Sequence, residues 1–327
     1  MTRCLCVPGK VVRPRITISI ELDFYDEIMK ARFSHRRAFI MHKQSVKRMV
    51  LDSEMEFEKI HNCWGGLNER TTEGKGTPVL LLHGIPSSME EWNPFWQELI
   101  DAGYKPYSVD LPGHGQSAHS DNPECYAEEP IYNQILHWIQ SLDIDEPFIL
   151  IGHSFGGHLA IRYTCENPAR VARLILINPF LTFRQMTLMN RLPFYFPAFT
   201  ARMYRHMPSC LIHLFVWLGS LQPGRFLRST LSKDEMAAML RDYQRCSDKV
   251  VYIPKSVTDL EIDYSKLTMP VFLIWGLRDG TLKTSEFKQL ADRLPACKVH
   301  TINAGHYPHR TNTHEVKHAI LEFLRRV

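Results

Sequence analysis

Three residues of the chain have the types and spacing of a turn that presents a nucleophile. Gly152, Ser154 and Gly156 alternate with single residues, after the apolar run Phe148–Ile151 and before a segment with a helical pattern. A sharp turn from strand to helix has room only for small side chains two positions either side of the turn residue. The sequence therefore predicts that Ser154 stands on such a turn, with its hydroxyl available for nucleophilic attack.

A serine nucleophile needs a base, and the base needs an acid that orients it. Asp279 lies in a loop after the apolar run that ends at Trp275, and His306 lies in the loop after the last predicted strand. Loops at the carboxyl ends of parallel strands are where such sheets place their sites. We therefore predict a catalytic triad of Ser154, Asp279 and His306. His309 is the competing histidine, but His306 follows the strand directly.

Acyl transfer also needs two N–H groups aimed at the oxyanion of the intermediate. The backbone N–H of Phe155, directly after the nucleophile, is one candidate. The second is expected in the loop His83-Gly84-Ile85-Pro86, which follows the apolar run Val79–Leu82. Proline has no N–H, so Ile85 is the predicted second donor of the oxyanion hole.

The elements that must position these residues alternate between short apolar strands and amphipathic helices. This alternation is typical of an α/β fold with a mostly parallel, doubly wound sheet. Strands are predicted at Met55–Ile60, Leu67–Thr71, Val79–Leu82, Tyr107–Val109, Phe148–Ile151, Leu174–Ile177, Val271–Trp275 and Val299–Ile302. Helices are predicted from Asn93, from Pro130, after Ser154 and over Glu315–Arg325.

About ninety residues interrupt the alternation, from 178 to 268. They are rich in Phe, Met, Leu, Tyr and Pro and have helical patterns, which predicts an inserted helical lid. The core of the lid itself is one explanation for these apolar side chains. The other is that the lid lines an apolar cleft suited to a lipophilic group. On that interpretation the predicted substrate pocket contains Phe180, Phe183, Met186 and Phe194.

These motifs together resemble the α/β-hydrolase superfamily, from about residue 55 to the C terminus. The matching elements are His83-Gly84-Ile85-Pro86, Asp110-Leu111-Pro112-Gly113-His114-Gly115-Gln116-Ser117, Gly152-His153-Ser154-Phe155-Gly156-Gly157, Asp279 and Gly305-His306. The resemblance implies a serine esterase or lipase-like enzyme, with a helical lid between the sixth and seventh strands and no metal or organic cofactor.

Two differences between this chain and known relatives narrow the expected chemistry. Epoxide hydrolases and haloalkane dehalogenases share the His-Gly-x-Pro loop but use an aspartate as nucleophile, so Ser154 favours acyl transfer to water. Some relatives carry the acid after the sixth strand, where this chain has Asn178. We therefore predict a serine hydrolase that cleaves a carboxylic ester with a lipophilic acyl or alcohol part. A carbon–carbon bond hydrolase of the meta-cleavage type and a non-catalytic ligand-binding protein on the same fold stay open as alternatives.

Basic and acidic residues are distributed unevenly along the chain of 327 residues. Residues 1–70 hold 13 basic and 9 acidic side chains, whereas residues 71–327 hold 26 of each. The larger part lacks the basic excess of a nucleic-acid binder, so no nucleic-acid partner is expected. Residues 1–54 match no family element and are predicted to be an extension of unknown role. Residues 55–177 and 269–327 are the predicted hydrolase core, and residues 178–268 the lid.

The cysteines and the start of the sequence indicate where in the cell the protein is expected. Eight scattered cysteines in a chain of this size predict reduced thiols, and no secretory signal is visible near the start. We therefore expect a cytoplasmic protein with a small lipophilic ester as its substrate. Peripheral membrane contact through the basic N-terminal segment or the lid is the alternative that stays open, as does the oligomeric state.

Overall fold

The computed structural model describes residues 63–208, 210–212, 214, 233–258 and 263–325. All of them belong to one compact unit, Ile60–Val327. The predicted N-terminal extension, residues 1–54, and the strand predicted at Met55–Ile60 lie outside the described residues. Strands are therefore numbered here from Glu69.

A seven-stranded sheet forms the centre of the described chain, in the order β1-β3-β2-β4-β5-β6-β7. β1 pairs antiparallel with β3, and every other neighbouring pair is parallel. This arrangement confirms the predicted α/β class and the mostly parallel sheet. The strands are β1 Glu69–Thr71, β2 Thr77–Leu82, β3 Tyr104–Val109, β4 Phe148–His153, β5 Val171–Ile177, β6 Val271–Gly276 and β7 Cys297–Ile302.

Helices follow the strands and cover both faces of the sheet. The α-helices are α1 Asn93–Asp101, α2 Glu128–Ser141, α3 Phe155–Glu166, α4 Leu188–Arg191, α5 Pro197–Arg205, α6 Lys233–Arg245, α7 Ile253–Ser256, α8 Thr284–Arg293, α9 Pro308–Thr311 and α10 Thr313–Arg325. Short 3-10 helices occupy Met89–Trp92, Pro123–Tyr126, Pro168–Arg170, Phe183–Gln185, Leu192–Tyr195, Asp248–Tyr252 and Tyr264–Lys266. α2 begins two residues before Pro130, because the first turn of a helix tolerates proline.

Two apolar layers hold the helices against the sheet. Successive strand residues point to opposite faces, so Leu80 and Leu82 join one buried cluster while Val79 and Leu81 join the other. α1 and α10 pack on the Val79 face, and α2, α3 and α8 pack on the Leu80 face. Such buried strands read as continuous apolar runs, which is why the sequence located them.

The described residues between β5 and β6 form short helices joined by loops. We call residues 178–268 the β5–β6 segment; it contains α4 to α7, and residues 209, 213, 215–232 and 259–262 lie outside the description. It corresponds to the residues predicted to form a lid, and it joins β5 to β6. The prediction placed the lid between the sixth and seventh strands, in a count that began with the strand predicted at Met55–Ile60, outside the described residues. Ile212, Met236 and Met239 form a small buried cluster of its own. Among the described helices, none combines the length and the apolarity that crossing a bilayer would demand.

A disulfide joins Cys63 to Cys125, which corrects the prediction that the cysteines are reduced thiols. The two residues are 62 apart in the chain, yet their Cα atoms are 5.4 Å apart, which is within the range a disulfide spans. The fold creates this proximity, because the chain before β1 lies beside the 3-10 helix Pro123–Tyr126, and Trp64 packs edge-on against Tyr126. Spacing in the sequence could not reveal it. Cys165, Cys210, Cys246 and Cys297 are free.

Candidate active site

The turn between β4 and α3 carries Ser154, as the sequence predicts. Ser154 has φ 50° and ψ −116°, a left-handed conformation that ordinary residues seldom adopt. The turn also passes very close to other backbone. A Cβ on Gly156 would lie 2.3 Å from the Leu82 carbonyl oxygen, and one on Gly152 would lie 2.4 Å from the Gly156 carbonyl oxygen. The two glycines are therefore required by close packing on either side of Ser154.

The structure brings Ser154, His306 and Asp279 into one hydrogen-bonded row. His306 Nδ1 lies 2.8 Å from Asp279 Oδ2, and His306 Nε2 lies 3.0 Å from Ser154 Oγ. An ionised carboxylate can only accept, so Nδ1–H donates to Asp279 and Nε2 is left to accept the Ser154 hydroxyl proton. His309, the competing histidine, makes neither contact: its ring faces Glu91.

The Asp279 carboxylate is fully buried yet surrounded by donors. Its Oδ1 accepts the backbone N–H groups of Thr281 at 2.8 Å and Leu282 at 2.9 Å. Its Oδ2 accepts from Asn178 Nδ2 at 2.6 Å as well as from His306. Burial raises the pKa of Asp279, but the neighbouring His306 and the donated hydrogen bonds outweigh burial and hold the pKa below its ordinary value.

Asn178 has a role that the sequence did not indicate. It follows β5 with φ 42°, in the left-handed region that asparagine tolerates better than most residues. Its Nδ2 donates to Asp279, and its Oδ1 accepts the Gly276 N–H at 3.3 Å. The sequence identified Asn178 only as the position where an acid is absent. The signal available was its place directly after a buried strand, beside the loop that carries Asp279.

Backbone contacts hold the loops of Asp279 and His306 together. After β6, the Leu277 N–H donates to the Ile302 carbonyl at 2.8 Å, and the Arg278 N–H donates to the Ala304 carbonyl at 2.9 Å. Asp279 and His306 therefore approach each other because the two loops continue the pairing of β6 with β7.

The loop predicted to supply an oxyanion donor passes over Ser154. A Cβ on Gly84 would lie 2.8 Å from Ser154 Cβ, so the next residue, Ile85, is close to the nucleophile. Leu111 N–H donates to His83 Nε2 at 2.9 Å, which leaves His83 Nδ1–H to donate to the Gly84 carbonyl at 2.8 Å. Phe155 opens α3, where a backbone N–H has no acceptor within the helix.

Asp110 and His114 order the loop after β3. Asp110 accepts from Met89 N–H at 2.7 Å, Gln116 N–H at 2.9 Å and Asn68 Nδ2 at 2.7 Å. His114 is fully buried, with Nδ1 3.0 Å from the Pro112 carbonyl oxygen. Burial, and after it the neighbouring His83, lower the pKa of His114 to about 3. These contacts give Asp110 and His114 roles in ordering this loop.

Apolar side chains of the β5–β6 segment lie close to this row. The Phe180 N–H donates to the Ser154 carbonyl at 2.9 Å. Met186 forms an isolated antiparallel bridge with Leu282, in the Asp279 loop. All four residues of the predicted pocket belong to the large apolar core on the Leu80 face of the sheet, which also contains Phe155: Phe180 and Met186 are buried in it, and Phe183 and Phe194 are half-buried against it.

Behind His306 lies a buried ionic cluster, which we define as Ser87, Glu91, His153, His309, Arg310 and Asp242. The Glu91 carboxylate faces His153 Nδ1 at 2.9 Å and His309 Nε2 at 3.1 Å through the same oxygen. His153 Nε2 in turn lies 3.1 Å from the His306 carbonyl oxygen. Burial raises the pKa of Glu91, but its two histidine partners outweigh burial and hold the pKa well below its ordinary value.

Arg310 links this cluster to the β5–β6 segment. Its Nη2 donates to Asp242 Oδ2 of α6 and to Ser87 Oγ, each at 2.8 Å. Ser87 Oγ also donates to Glu91 at 2.6 Å. These residues were not predicted from the sequence. The sequence feature that could have indicated them is a charged residue next to a large apolar one, such as Glu91 next to Trp92.

The same cluster is where a cation would have to bind. Within the described ranges, Glu91, His153 and His309 alone bring three side-chain ligand atoms within 4.8 Å of one another. Arg310 Nη2 lies 3.6 Å from the other Glu91 oxygen and already supplies a positive charge there. We therefore describe these residues as an ion-paired network.

Comparison with known proteins agrees with this fold. A 2-hydroxy-6-oxononadienedioate/2-hydroxy-6-oxononatrienedioate hydrolase of Cupriavidus pinatubonensis is 27% identical, over 84% of this chain and 93% of its own. An sn-1-specific diacylglycerol lipase of Xenopus laevis is 25% identical, over 76% of this chain and 78% of its own. The structure of a thermophilic esterase from Thermogutta terrifontis shares the fold, with TM-score 0.65 and 22% identity over 80% of this chain and 93% of that one. Residues 79–319 match the model of the alpha/beta hydrolase family, and the chain therefore belongs to that family.

Proposed function

We propose that this protein is a serine hydrolase that cleaves a carboxylic ester with a lipophilic acyl or alcohol part. The observation that carries the proposal is the row from Asp279 through His306 to Ser154, with contacts of 2.8 and 3.0 Å. Because Asp279 accepts from Nδ1, the free Nε2 of His306 faces the nucleophile. This is the arrangement that general-base activation of a serine requires.

The reaction then proceeds in two half-reactions. His306 Nε2 takes the proton of Ser154, whose oxygen attacks the ester carbonyl. The N–H groups of Ile85 and Phe155 hold the oxyanion, and His306 returns its proton to the departing alcohol. Water, deprotonated by His306, then attacks the acyl-enzyme and releases the acid and Ser154.

The preference for a lipophilic substrate is supported by the apolar core that reaches the row. Phe180, Phe183, Met186 and Phe194 belong to the core on the Leu80 face of the sheet, which includes Phe155, the residue after Ser154. In our proposal the β5–β6 segment acts as a lid that presents them to the substrate. Such a lining favours hydrocarbon and aromatic groups through the area it removes from water.

The test is the replacement Ser154→Ala, assayed on p-nitrophenyl esters of increasing acyl length and with a fluorophosphonate probe. We expect turnover to fall by at least about 10³-fold and labelling to disappear. Ser108→Ala is the matched control, because Ser108 is also buried but lies in β3. Undiminished turnover in Ser154→Ala, or a folded wild-type chain that the probe fails to label, would contradict the proposal; the second result would favour a ligand-binding protein without catalysis.

A carbon–carbon bond hydrolase is the second candidate, favoured by the similarity to the Cupriavidus hydrolase. The name of that relative describes a dioate, whose two carboxylates call for positive charge in the pocket. The apolar core that reaches Phe155, next to Ser154, fits an ester better. An ester series assayed in parallel with ring-fission dienoates separates the two: faster turnover of the dienoates would replace the first proposal with the second.

A further inference from the structure

The first half of the β5–β6 segment exposes an unusual number of large apolar side chains. Met189 is 74% exposed and Phe196 is 69% exposed, although neighbouring residues of the same segment are buried. Soluble proteins seldom expose contiguous apolar patches beyond a few hundred Å² unless the patch binds something. We call these residues the apolar ridge: Leu188, Met189, Leu192, Tyr195, Phe196, Phe199 and Met203.

Along the chain, the charges through the ridge are all positive, although Arg205 Nη2 pairs at 2.7 Å with Asp248 Oδ2 from outside this stretch. The chain has no acidic residue between Glu166 and Asp234, and residues 178–232 contain six arginines. Arg184, Arg202 and Arg205 are exposed, and they flank the ridge residues along the chain. Exposed aromatic and aliphatic side chains with arginines and no acids are characteristic of surfaces that lie in the interface of an anionic bilayer.

We propose that the apolar ridge docks on the surface of an anionic lipid bilayer. Its apolar side chains enter the boundary between headgroups and acyl chains, and the arginines contact the lipid phosphates. The charge pattern argues against a second copy of this chain as the occupant. A symmetric dimer brings the same patch of each subunit together, which here would set the exposed Arg184 and Arg202 of one copy against the arginines of the other.

The ridge adjoins the candidate active site. Asn190 Nδ2, in α4, donates to the Gly280 carbonyl at 2.9 Å, directly after Asp279. The ring of Tyr195 packs edge-on against Phe183 at 5.5 Å, and Phe183 packs against the apolar core that contains Phe155, the residue after Ser154. A docked ridge would thus place the site next to the bilayer, where a lipophilic ester is concentrated. The supply of a lipophilic ester from the bilayer to the site rests on the proposed function, whereas the docking of the ridge does not.

The first test measures co-sedimentation of the full chain with vesicles of phosphatidylcholine and phosphatidylglycerol. The double variant Phe196→Glu/Phe199→Glu should bind these vesicles at least about tenfold more weakly, since each phenylalanine loses its burial in the interface. The matched control is Val299→Glu, an exposed apolar residue of β7 outside the ridge. The control should bind as the wild type does.

The second test separates the contribution of charge. Arg202→Glu should weaken binding to the anionic vesicles by about tenfold and should change little on vesicles of phosphatidylcholine alone. Lys288→Glu makes the same change of charge at an exposed position of α8 and should bind as the wild type does. High salt should reduce the difference between Arg202→Glu and the wild type.

Three results would overturn the proposal. The first is wild-type chain that does not bind anionic vesicles. The second is binding that persists in the Phe196→Glu/Phe199→Glu variant. The third is a wild-type chain that is a dimer by light scattering and a variant that is a monomer, with neither protein binding vesicles. Two further measurements keep docking distinct from catalysis: Ser154→Ala should bind vesicles like the wild type, and the ridge variants should retain turnover of a water-soluble ester.

Discussion

Asp279 shows how a carboxylate stays ionised in a buried site. Two backbone N–H groups saturate one of its oxygens, and Asn178 and His306 share the other. A carboxylate with several donors favours its charged form even without water. This negative charge keeps the proton of His306 on Nδ1. Asp279 therefore acts by fixing the tautomer of the histidine, which leaves Nε2 free to accept the proton of Ser154.

Replacing Asp279 by asparagine should therefore remove activity without removing the fold. In Asp279→Asn the amide oxygen can keep the Thr281 and Leu282 contacts, while the amide nitrogen faces His306 Nδ1 and favours the wrong tautomer of the histidine. We expect kcat to fall by about 10³- to 10⁴-fold, measured on the best p-nitrophenyl ester.

Asp110→Asn is the matched control, because Asp110 is also buried and also accepts backbone N–H groups. It should lower the denaturation midpoint while kcat stays within a few-fold of the wild type, as expected for a residue that orders a loop. Equal kcat losses in the two variants would mean that Asp279 acts through loop structure alone.

At the scale of elements, α6 is attached to the core by two ion pairs of different kinds. Asp242 is buried and pairs with Arg310 at 2.8 Å, and it also accepts from Ser88 Oγ at 2.6 Å. Arg245, three residues on, pairs with Glu90 at the surface. The buried pair continues into the ionic cluster behind His306, so α6 and the candidate site share one polar network.

The two pairs should differ strongly in their effect on stability. Asp242→Ala leaves the Arg310 guanidinium buried without its closest partner and should lower the free energy of unfolding by about 3 kcal/mol. Arg245→Ala removes a partly exposed pair and should cost less than about 1 kcal/mol. Urea denaturation followed by tryptophan fluorescence measures both. Similar losses in the two variants would show that the buried pair is not what anchors α6.

At the scale of the whole molecule, buried neutral histidines link stability to pH. His114 stays unprotonated in the native state down to about pH 3, whereas in the unfolded chain histidine takes up its proton near pH 6.5. Below that pH the unfolded state binds more protons than the native state. Stability therefore decreases as the pH falls from about 6.5, by about 2 kcal/mol at pH 5 for this one side chain. Burial likewise lowers the pKa of His309, to about 4.

The contribution of His114 can be isolated with His114→Gln. This variant should be less stable than the wild type near neutral pH but should lose about 2 kcal/mol less between about pH 7.5 and pH 5. Urea denaturation at both pH values gives the difference. His300→Gln is a suitable control, since His300 is partly exposed on β7. An unchanged pH dependence in His114→Gln would contradict the role of its burial.

The sequence predicted the features that depend on local pattern. Strands β2 to β7, the turn at Ser154 and the loops of Asp279 and His306 all follow from apolar runs and the residues that end them. Contacts between distant parts of the chain were not accessible in this way. The Cys63–Cys125 disulfide, the support of Asp279 by Asn178 and the pairing of Asp242 with Arg310 each depend on which loops the finished fold brings together.

The bridge between Met186 and Leu282 defines where the β5–β6 segment can be exchanged. The Thr187 N–H donates to the Thr281 carbonyl at 3.1 Å, and the Lys283 N–H donates to the Gln185 carbonyl at 2.9 Å. Residues 185–187 thus help to keep the loop of Asp279 in position, although they belong to the β5–β6 segment and directly precede α4. A chimera that receives this segment from a relative should be joined at Leu188, because a junction at Asn178 would discard one half of the bridge.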